Sequence, residues 1–510
     1  MSILSAGTFF GALLSNPISD NLGRKWGLIF SCAIFALGVG LQLDTSWSTF
    51  VVGRVIAGLG GEQSCGSICG EKFKVNYLNA FFHSILLSPE FHNFHSVGAV
   101  STIVPMYQSE CSPKSIRGAI VGLYQFSITI GALLAAICLN ATKNEQSHSA
   151  WRTPVAIQFV WAFVLSLGMF LLPESPRYLL FKGKRDAAKH SLGRLMTLPP
   201  ESPEVEAEAI EIELALDAER AIGTNSYWDC FKPGTANRNA LRTWTGIAMQ
   251  AWQQLTGINF IFYYGTTFFK TAGITNAFVI TIITDVVNTC MTIVGINLID
   301  RVGRRKLLII GAAGMMFCEY IVAIVGVTVG KTNSSGEAIN LAAQRVLIAF
   351  VCFYIAFFAI SWGPVIWVLT GELFPLAIRS KSMSLAVASN WLWNFGIGYA
   401  TPYLVDKTTY GPTGIKAAGL GVKVFFIWGS TCAGCLIFAY FCIPETKGLS
   451  LEQIDLLYRE SSIIGSNKYR AQMLARGETF TRHEGTIPGL PPINLPSKDG
   501  NVEFEEKTGI

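Results

Sequence analysis

The sequence predicts an all-α polytopic membrane protein made of two pseudo-symmetric helical bundles. Three observations lead there. Apolar runs of about 20 residues recur along the chain, the length a helix needs to cross a bilayer. Only 14% of the 510 residues are charged and mean hydropathy is +0.41, whereas a soluble chain carries roughly a quarter charged residues. Short motifs also recur, in the same order, on either side of a polar divider at residues 173–242.

Eleven spans are expected: 2–19, 27–43, 51–60 joined to 97–107, 117–140, 154–172, 243–269, 276–299, 306–329, 345–370, 379–404 and 423–443. The N-terminal bundle takes residues 1–172 and is interrupted at 61–96. A cytoplasmic helical linker takes 173–242, a six-helix C-terminal bundle 243–445, and a cytoplasmic, largely disordered tail 446–510. Glu204 to Arg220 reads as an acidic amphipathic helix, and Ser450-Leu-Glu-Gln453 as a capping-box helix start. Both read as bracing helices.

The repeats are specific as a set. Asp20-Asn-Leu-Gly23-Arg24-Lys25 is echoed by Asp300-Arg-Val-Gly303-Arg304-Arg305. Glu110-Cys-Ser-Pro113-Lys-Ser-Ile-Arg117 is echoed by Glu372-Leu-Phe-Pro375-Leu-Ala-Ile-Arg379, and Pro173-Glu174-Ser175 by Pro444-Glu445-Thr446. One such match is weak; three in order imply two homologous halves. The basic loops at Arg24/Lys25, Lys114/Arg117, Arg301 to Lys306 and Arg379/Lys381 share one side, which the positive-inside rule makes cytoplasmic. Two sequons, Asn140-Ala-Thr142 and Asn333-Ser-Ser335, then fall outside and predict a glycoprotein.

Several function classes drop out. No nucleophile–base pair, metal-ligand cluster or phosphate loop points to an enzyme, a metal or a cofactor. No basic-aromatic patch suggests nucleic acid. Most of the 12 cysteines lie inside apolar segments and read as small hydrophobes. No cleavable signal peptide is evident.

One stretch resists a purely structural reading. Gln253, Gln254, Asn259, Tyr263 and Tyr264 sit inside an apolar segment. Unpaired amides at membrane depth are costly, so they pair with another helix or line a cavity. Amides both donate and accept, which suits a polyhydroxylated ligand. An ideal helix separates Gln254 from Asn259 by roughly 140°, so a break at Gly257 is expected. Asn259 and Tyr263 share a face, as do Asp285 and Asn288.

On these motifs, with Gly53-Arg54, Pro105-Met-Tyr-Gln-Ser-Glu110, Pro173-Glu-Ser-Pro-Arg177, Gln253-Gln254-Leu-Thr-Gly-Ile-Asn259, Gly363-Pro-Val-Ile-Trp367, Ser389-Asn390-Trp391 and Pro444-Glu-Thr-Lys-Gly448, the chain resembles the sugar porters of the major facilitator superfamily, the fungal hexose transporters among them. The resemblance implies a twelve-helix fold, of which eleven helices are present. It places sugar contacts on Gln125, Gln253, Gln254, Asn259, Tyr263, Asn288, Gly363, Trp367 and Trp391, with Asn390 and Asn394 as weaker candidates. The repeated motifs would form gating ion pairs: Arg24, Glu110 and Arg117 in one half, Arg304, Glu372 and Arg379 in the other, with Glu174, Arg177 and Glu445 as further members. Arg54 and Asp285 are the candidate coupling residues, and Glu319 is a second intramembrane acid.

Two departures from the family are visible. The chain starts where the family's second helix lies, so the first helix, which bears the acid facing Arg54 in proton-coupled members, is missing. Residues 61–96 split a helix that is continuous when Gly60 is joined to Val97. Codons for Gly61-Glu62 and Ser96-Val97 accommodate splice signals, so a retained intron accounts for the insertion. The expected function is movement of a monosaccharide, most simply a hexose such as glucose, across the plasma membrane by alternating access. Facilitated diffusion and proton symport both remain open. The partners are sugar, the lipid bilayer and, for symport, protons. A sugar-sensing receptor and an inactive, mis-spliced product are the competing readings.

Overall fold

The computed structural model describes residues 2–44, 46–58, 97–113, 115–142, 147–220, 226–234, 238–271, 277–329, 340–405 and 418–476. The described residues are helical, with no strand among them. The first half contributes α1 (Ser2–Leu22), α2 (Arg24–Gln42), α3 (Trp47–Gly58), α4 (Val97–Cys111), α5 (Arg117–Thr142) and α6 (Ser149–Leu171). Three short helices follow, α7 (Pro176–Phe181), α8 (Arg185–Met196) and α9 (Pro203–Arg220). The second half contributes α10 (Asn239–Leu255), α11 (Ile258–Thr271), α12 (Ala277–Val302), α13 (Arg304–Thr328), α14 (Leu341–Ile360), α15 (Trp362–Glu372), α16 (Arg379–Val405) and α17 (Val424–Cys442). Helices α18 (Leu451–Glu460) and α19 (Ser466–Arg476) close the described chain.

Among the described residues, seven helical stretches are long and apolar enough to cross a membrane. Their outer faces fit a lipid solvent. Helix α6 exposes Val160, Phe163, Val164, Leu167, Phe170 and Leu171, a stripe that would be an aggregation liability in water. The motif repeat is matched by packing. Helix α1 lies along α16, and its repeat counterpart α12 lies along α5, the counterpart of α16. These are the two most extensive contacts between the halves, and α15 against α5 and α4 adds to them.

Each half ties its helices together in the same way. Gly23 and Gly303 precede α2 and α13 with φ of 93° and 104°. A Cβ on either would lie within 2.3 or 2.5 Å of a carboxylate oxygen, of Glu174 or Glu445 respectively. That space lets Glu174 accept from Arg24 N (3.0 Å) and Lys25 N (3.2 Å), while Glu445 accepts from Arg304 N (3.0 Å). A carboxylate at a helix N-terminus satisfies free N–H groups and complements the dipole. In return Lys25 Nζ donates to the last carbonyls of α6, Phe170 (2.9 Å) and Leu172 (2.8 Å), and Arg305 donates to Tyr440 of α17 (2.6 Å).

The expected break at Gly257 is present: α10 ends at Leu255, Gly257 has φ of 83°, and α11 begins at Ile258. A second break was not expected. The span read as 345–370 is two helices parted at Ser361, with φ −124° and ψ −86°. Pro364, three residues on, has no N–H to give to Ile360, so the ladder cannot continue. At the start of the tail the expected capping-box helix is present: Ser450 and Gln453 cap α18, which buries Leu451 to Tyr458, and α19 follows it. The 61–96 insertion and the Asn333 sequon lie outside the described residues. On either side of the insertion, α3 and α4 both pack along α1 and α2 and touch each other, as two pieces of one helix would.

Candidate functional site

The break at Gly257 gathers the amides. Gln254 Nε2 donates to Asn390 Oδ1 (2.9 Å), and Gln254 Oε1 accepts from Asn259 and from Asn394 (3.3 Å). Asn394 also bonds the Tyr263 hydroxyl (3.0 Å) and accepts from Ser5 of α1 (2.7 Å). Asn390 Nδ2 donates to both Gln253 and Gln250 (2.7 Å each). Gln253 Nε2 reaches the carbonyls of Trp362 (2.9 Å) and Gly363 (3.1 Å), in the first turn of α15 just past the second break. The two breaks are thus stitched together by Gln253. Gln250, Asn394 and Ser5 belong to the network, although only Asn394 was even a weak candidate. Gln250 was legible in principle, since it stands i−3 and i−4 from Gln254's pair and so on the same face.

Two tryptophans meet the opposite half. Trp367 Nε1 donates to Gln125 Oε1 (3.1 Å), with Tyr124 edge-on to its ring at 4.8 Å. Trp391 Nε1 donates to Ser101 Oγ (3.1 Å). Gly363 lies beside Gln125. Asn288 and Asp285 are buried on α12 and bond neither group; Asn288 Oδ1 has no hydrogen-bond partner among the described residues. Arg54 is half-buried, its guanidinium 4.9 Å from the Phe50 ring centroid.

The charged motifs form a buried layer at the basic ends of the helices. Arg24 pairs with Glu110 (3.1 Å), and Arg304 pairs with Glu372 and Asp300 (2.8 Å each). The remaining residues differ from the expected pattern. Glu174 and Glu445 act as helix caps. Arg117 makes no ion pair among the described residues; it reaches the Leu449 carbonyl across the halves (3.4 Å). Arg379 lies 3.8 Å from Glu110 of the first half, not beside Glu372. Arg177 pairs with Glu452 of α18 (2.6 Å) and donates to the Glu110 carbonyl (3.0 Å). Asp300 accepts from Ala119 N (2.9 Å), and Asp20 from Ser380 (3.0 Å), both across the seam. Glu452 had no repeat counterpart to mark it.

Burial pushes the Glu452 carboxyl up, but Arg177 and then Arg117 outweigh it and hold it down at about 2. A depressed carboxylate contributes stability above its ordinary value of 4.5, and that contribution fades only as pH falls toward about 2. Lowering the pH on this face from about 7 to about 5 should therefore leave this contact closed. Thiol labelling of a cysteine introduced beside it reads the outcome, and increased labelling at the lower pH would contradict it.

Comparison with known proteins agrees with this architecture. A family model described as "Sugar (and other) transporter" matches residues 1–69 and 95–458, leaving unmatched a stretch inside the 61–96 insertion. The major facilitator-type transporter ecdD of Aspergillus rugulosus is 45% identical over 94% of this chain and 81% of its own length. The probable glucose transporter rco-3 of Neurospora crassa is 42% identical over 90% and 70%. The high glucose sensor RGT2 of Saccharomyces cerevisiae is 39% identical over 93% of this chain, which spans 57% of the sensor's length. Among solved structures, the proton:xylose symporter XylE bound to 6-bromo-6-deoxy-D-glucose overlaps with a TM-score of 0.71 at 27% identity, covering 89% of this chain and 88% of XylE. Inward-open XylE from E. coli, at 26% identity and coverage of 89% and 88%, overlaps at 0.58. On this match, which takes in both bundles and the buried charged layer between them, the chain is a multi-pass membrane protein of the sugar transporter family of the major facilitator superfamily, and not an enzyme.

Proposed function

We propose that this protein carries a monosaccharide, a hexose such as glucose, across the plasma membrane by alternating access. The observation that carries the reading is the continuous amide network from Gln250 to Tyr263, set beside two indoles that reach across the seam. A sugar needs ring-face contact for its C–H groups and groups that both donate and accept for its hydroxyls. Gln253, Gln254, Asn259, Tyr263, Asn390 and Asn394 supply the second from one half, and Gln125 from the other. Trp367 and Trp391 supply the first. Gly363 allows the close approach, and the open Asn288 Oδ1 is an acceptor for one hydroxyl.

The charged layer is the inner gate in this reading. Its cross-seam contacts are made here, and the overlap with inward-open XylE is the poorer one. Both support a conformation closed toward the cytoplasm. Arg24, Glu110, Arg117, Arg177, Arg304, Glu372 and Arg379 hold it, while Glu174 and Glu445 keep each half rigid. Such a layer is a two-state element that rocking of the halves makes and breaks.

The test is uptake of labelled hexose by transporter-deficient cells expressing the chain. Gln254→Ala leaves the Asn390, Asn394 and Asn259 amides without their shared partner, at about 1–3 kcal/mol per orphaned group. Uptake should fall by about tenfold or more, with surface expression retained. Unchanged uptake in the variant would remove the network from the site. The similarity to a glucose sensor favours a second reading, in which binding is reported and no sugar moves. A sugar-dependent signal with no uptake would establish it.

A further inference from the structure

Glu319 of α13 is used by none of this. It is 1% exposed, and neither carboxyl oxygen has a hydrogen-bond partner among the described residues. The titratable groups near it are the Cys432 thiol from α17 and the Tyr354 hydroxyl from α14, with Cys318 next to it on its own helix and Cys435 near Tyr354. No arginine, lysine or histidine among the described residues pairs with it. An ionised carboxylate so placed has neither counter-charge nor donor, a burden of several kcal/mol that the neutral acid escapes.

The two facing donors are already engaged. Tyr354 donates its hydroxyl proton to the Thr256 carbonyl (2.8 Å), and Cys432 directs its thiol at the same oxygen (3.8 Å). That carbonyl is the one freed by the break before Gly257. A hydroxyl and a thiol each have a single proton to give. While both are directed at Thr256, neither serves Glu319. If movement of α11 against α10 withdraws the Thr256 carbonyl, both can turn to the carboxylate.

We propose that Glu319 is a proton-binding site linked to the hinge at Thr256–Gly257. It holds its proton in the conformation seen here, and it releases the proton to water in the opened site when the hinge turns and Tyr354 and Cys432 become its donors. The inference rests on the transport reading and adds a coupling group in the second half, remote from Arg54.

Purified protein in liposomes tests it. Wild-type uptake should change with pH by up to about tenfold per unit, as one linked proton allows, and an inward proton gradient should drive accumulation. Glu319→Gln, which keeps size and polarity, should flatten the pH profile and abolish accumulation while equilibrium exchange of labelled sugar continues. Infrared difference spectra on adding sugar should show a protonated-carboxyl band that Glu319→Gln removes. A wild-type profile flat with pH, a variant with the wild-type profile, or Asp285→Asn flattening the profile in its place would overturn the proposal. Absence of any sugar exchange by the wild type defeats the transport reading separately, and the infrared band still decides whether Glu319 carries a proton.

Discussion

Gly257→Ala should abolish most sugar uptake while the protein still reaches the membrane. Gly257 holds φ at 83°, a region that costs an L-residue roughly 1–2 kcal/mol. The new Cβ would also lie 2.6 Å from the Trp428 ring. That ring is 5% exposed and packs near Phe260, so it has little room to yield. Overpacking of this kind adds about 1–3 kcal/mol. The strain is relieved by straightening the junction between α10 and α11. Straightening swings Asn259 and Tyr263 away from Gln254 and Asn394, and it draws the Thr256 carbonyl from Tyr354. Uptake should drop by at least about tenfold, and more if the full strain falls on the binding state. Gly396→Ala is the control, because its Cβ would meet nothing within 4 Å. Labelled-hexose uptake normalised to surface protein decides the matter, and equal loss in both variants would refute the hinge explanation.

Arg177→Ala should tip the protein toward its cytoplasm-open form. Arg177 makes two bonds to Glu452 (2.6 and 3.2 Å) and one to the Glu110 carbonyl (3.0 Å), all buried. Removing it strands Glu452, which is 5% exposed, as a buried charge without its main partner. Losing one member of such a pair costs about 3–5 kcal/mol. The open form, where Glu452 reaches water, is spared that cost. The equilibrium then shifts by about a hundredfold or more. Spin-label distances across the basic face should lengthen, and net uptake should fall more than exchange. Replacing both partners by apolar residues should restore much of the closed population, because a buried pair is worth little more than good packing. Unchanged distances in Arg177→Ala would show that the contact is incidental.

Fold and site were legible to different depths. Apolar runs and ordered repeats made the two-bundle architecture readable, since bilayer thickness and duplication both write themselves into local sequence. The Gly257 break was readable because Gln254 and Asn259 could not otherwise converge. The Ser361 break was not, although Pro364 marks it: proline in a spanning helix is common enough that its presence alone does not imply a gap. The ion pairs were half readable. A repeat identifies residues that share a role within each half, as Arg24–Glu110 and Arg304–Glu372 do. It says nothing of contacts between halves, so Arg379–Glu110 and Arg177–Glu452 are visible only in the folded structure. Glu174 and Glu445 were recognised as a pair, but their use as helix caps depends on Gly23 and Gly303 leaving room for a carboxylate.

The indole bonds to Gln125 and Ser101 bear on how tightly a substrate can be held. The indole donors of Trp367 and Trp391 each have an acceptor within the protein, Gln125 and Ser101. In the proposed site, sugar binding at these positions would exchange partners, and the number of hydrogen bonds would change little. Net hydrogen-bond gain is small even when bonds are newly formed, and smaller when they are swapped. Selectivity can then be high, because a poorly fitting hydroxyl leaves an indole or amide unpaired, while retention stays weak. A carrier has to let go on the far side as readily as it took hold on the near one, and a site that trades contacts meets both requirements.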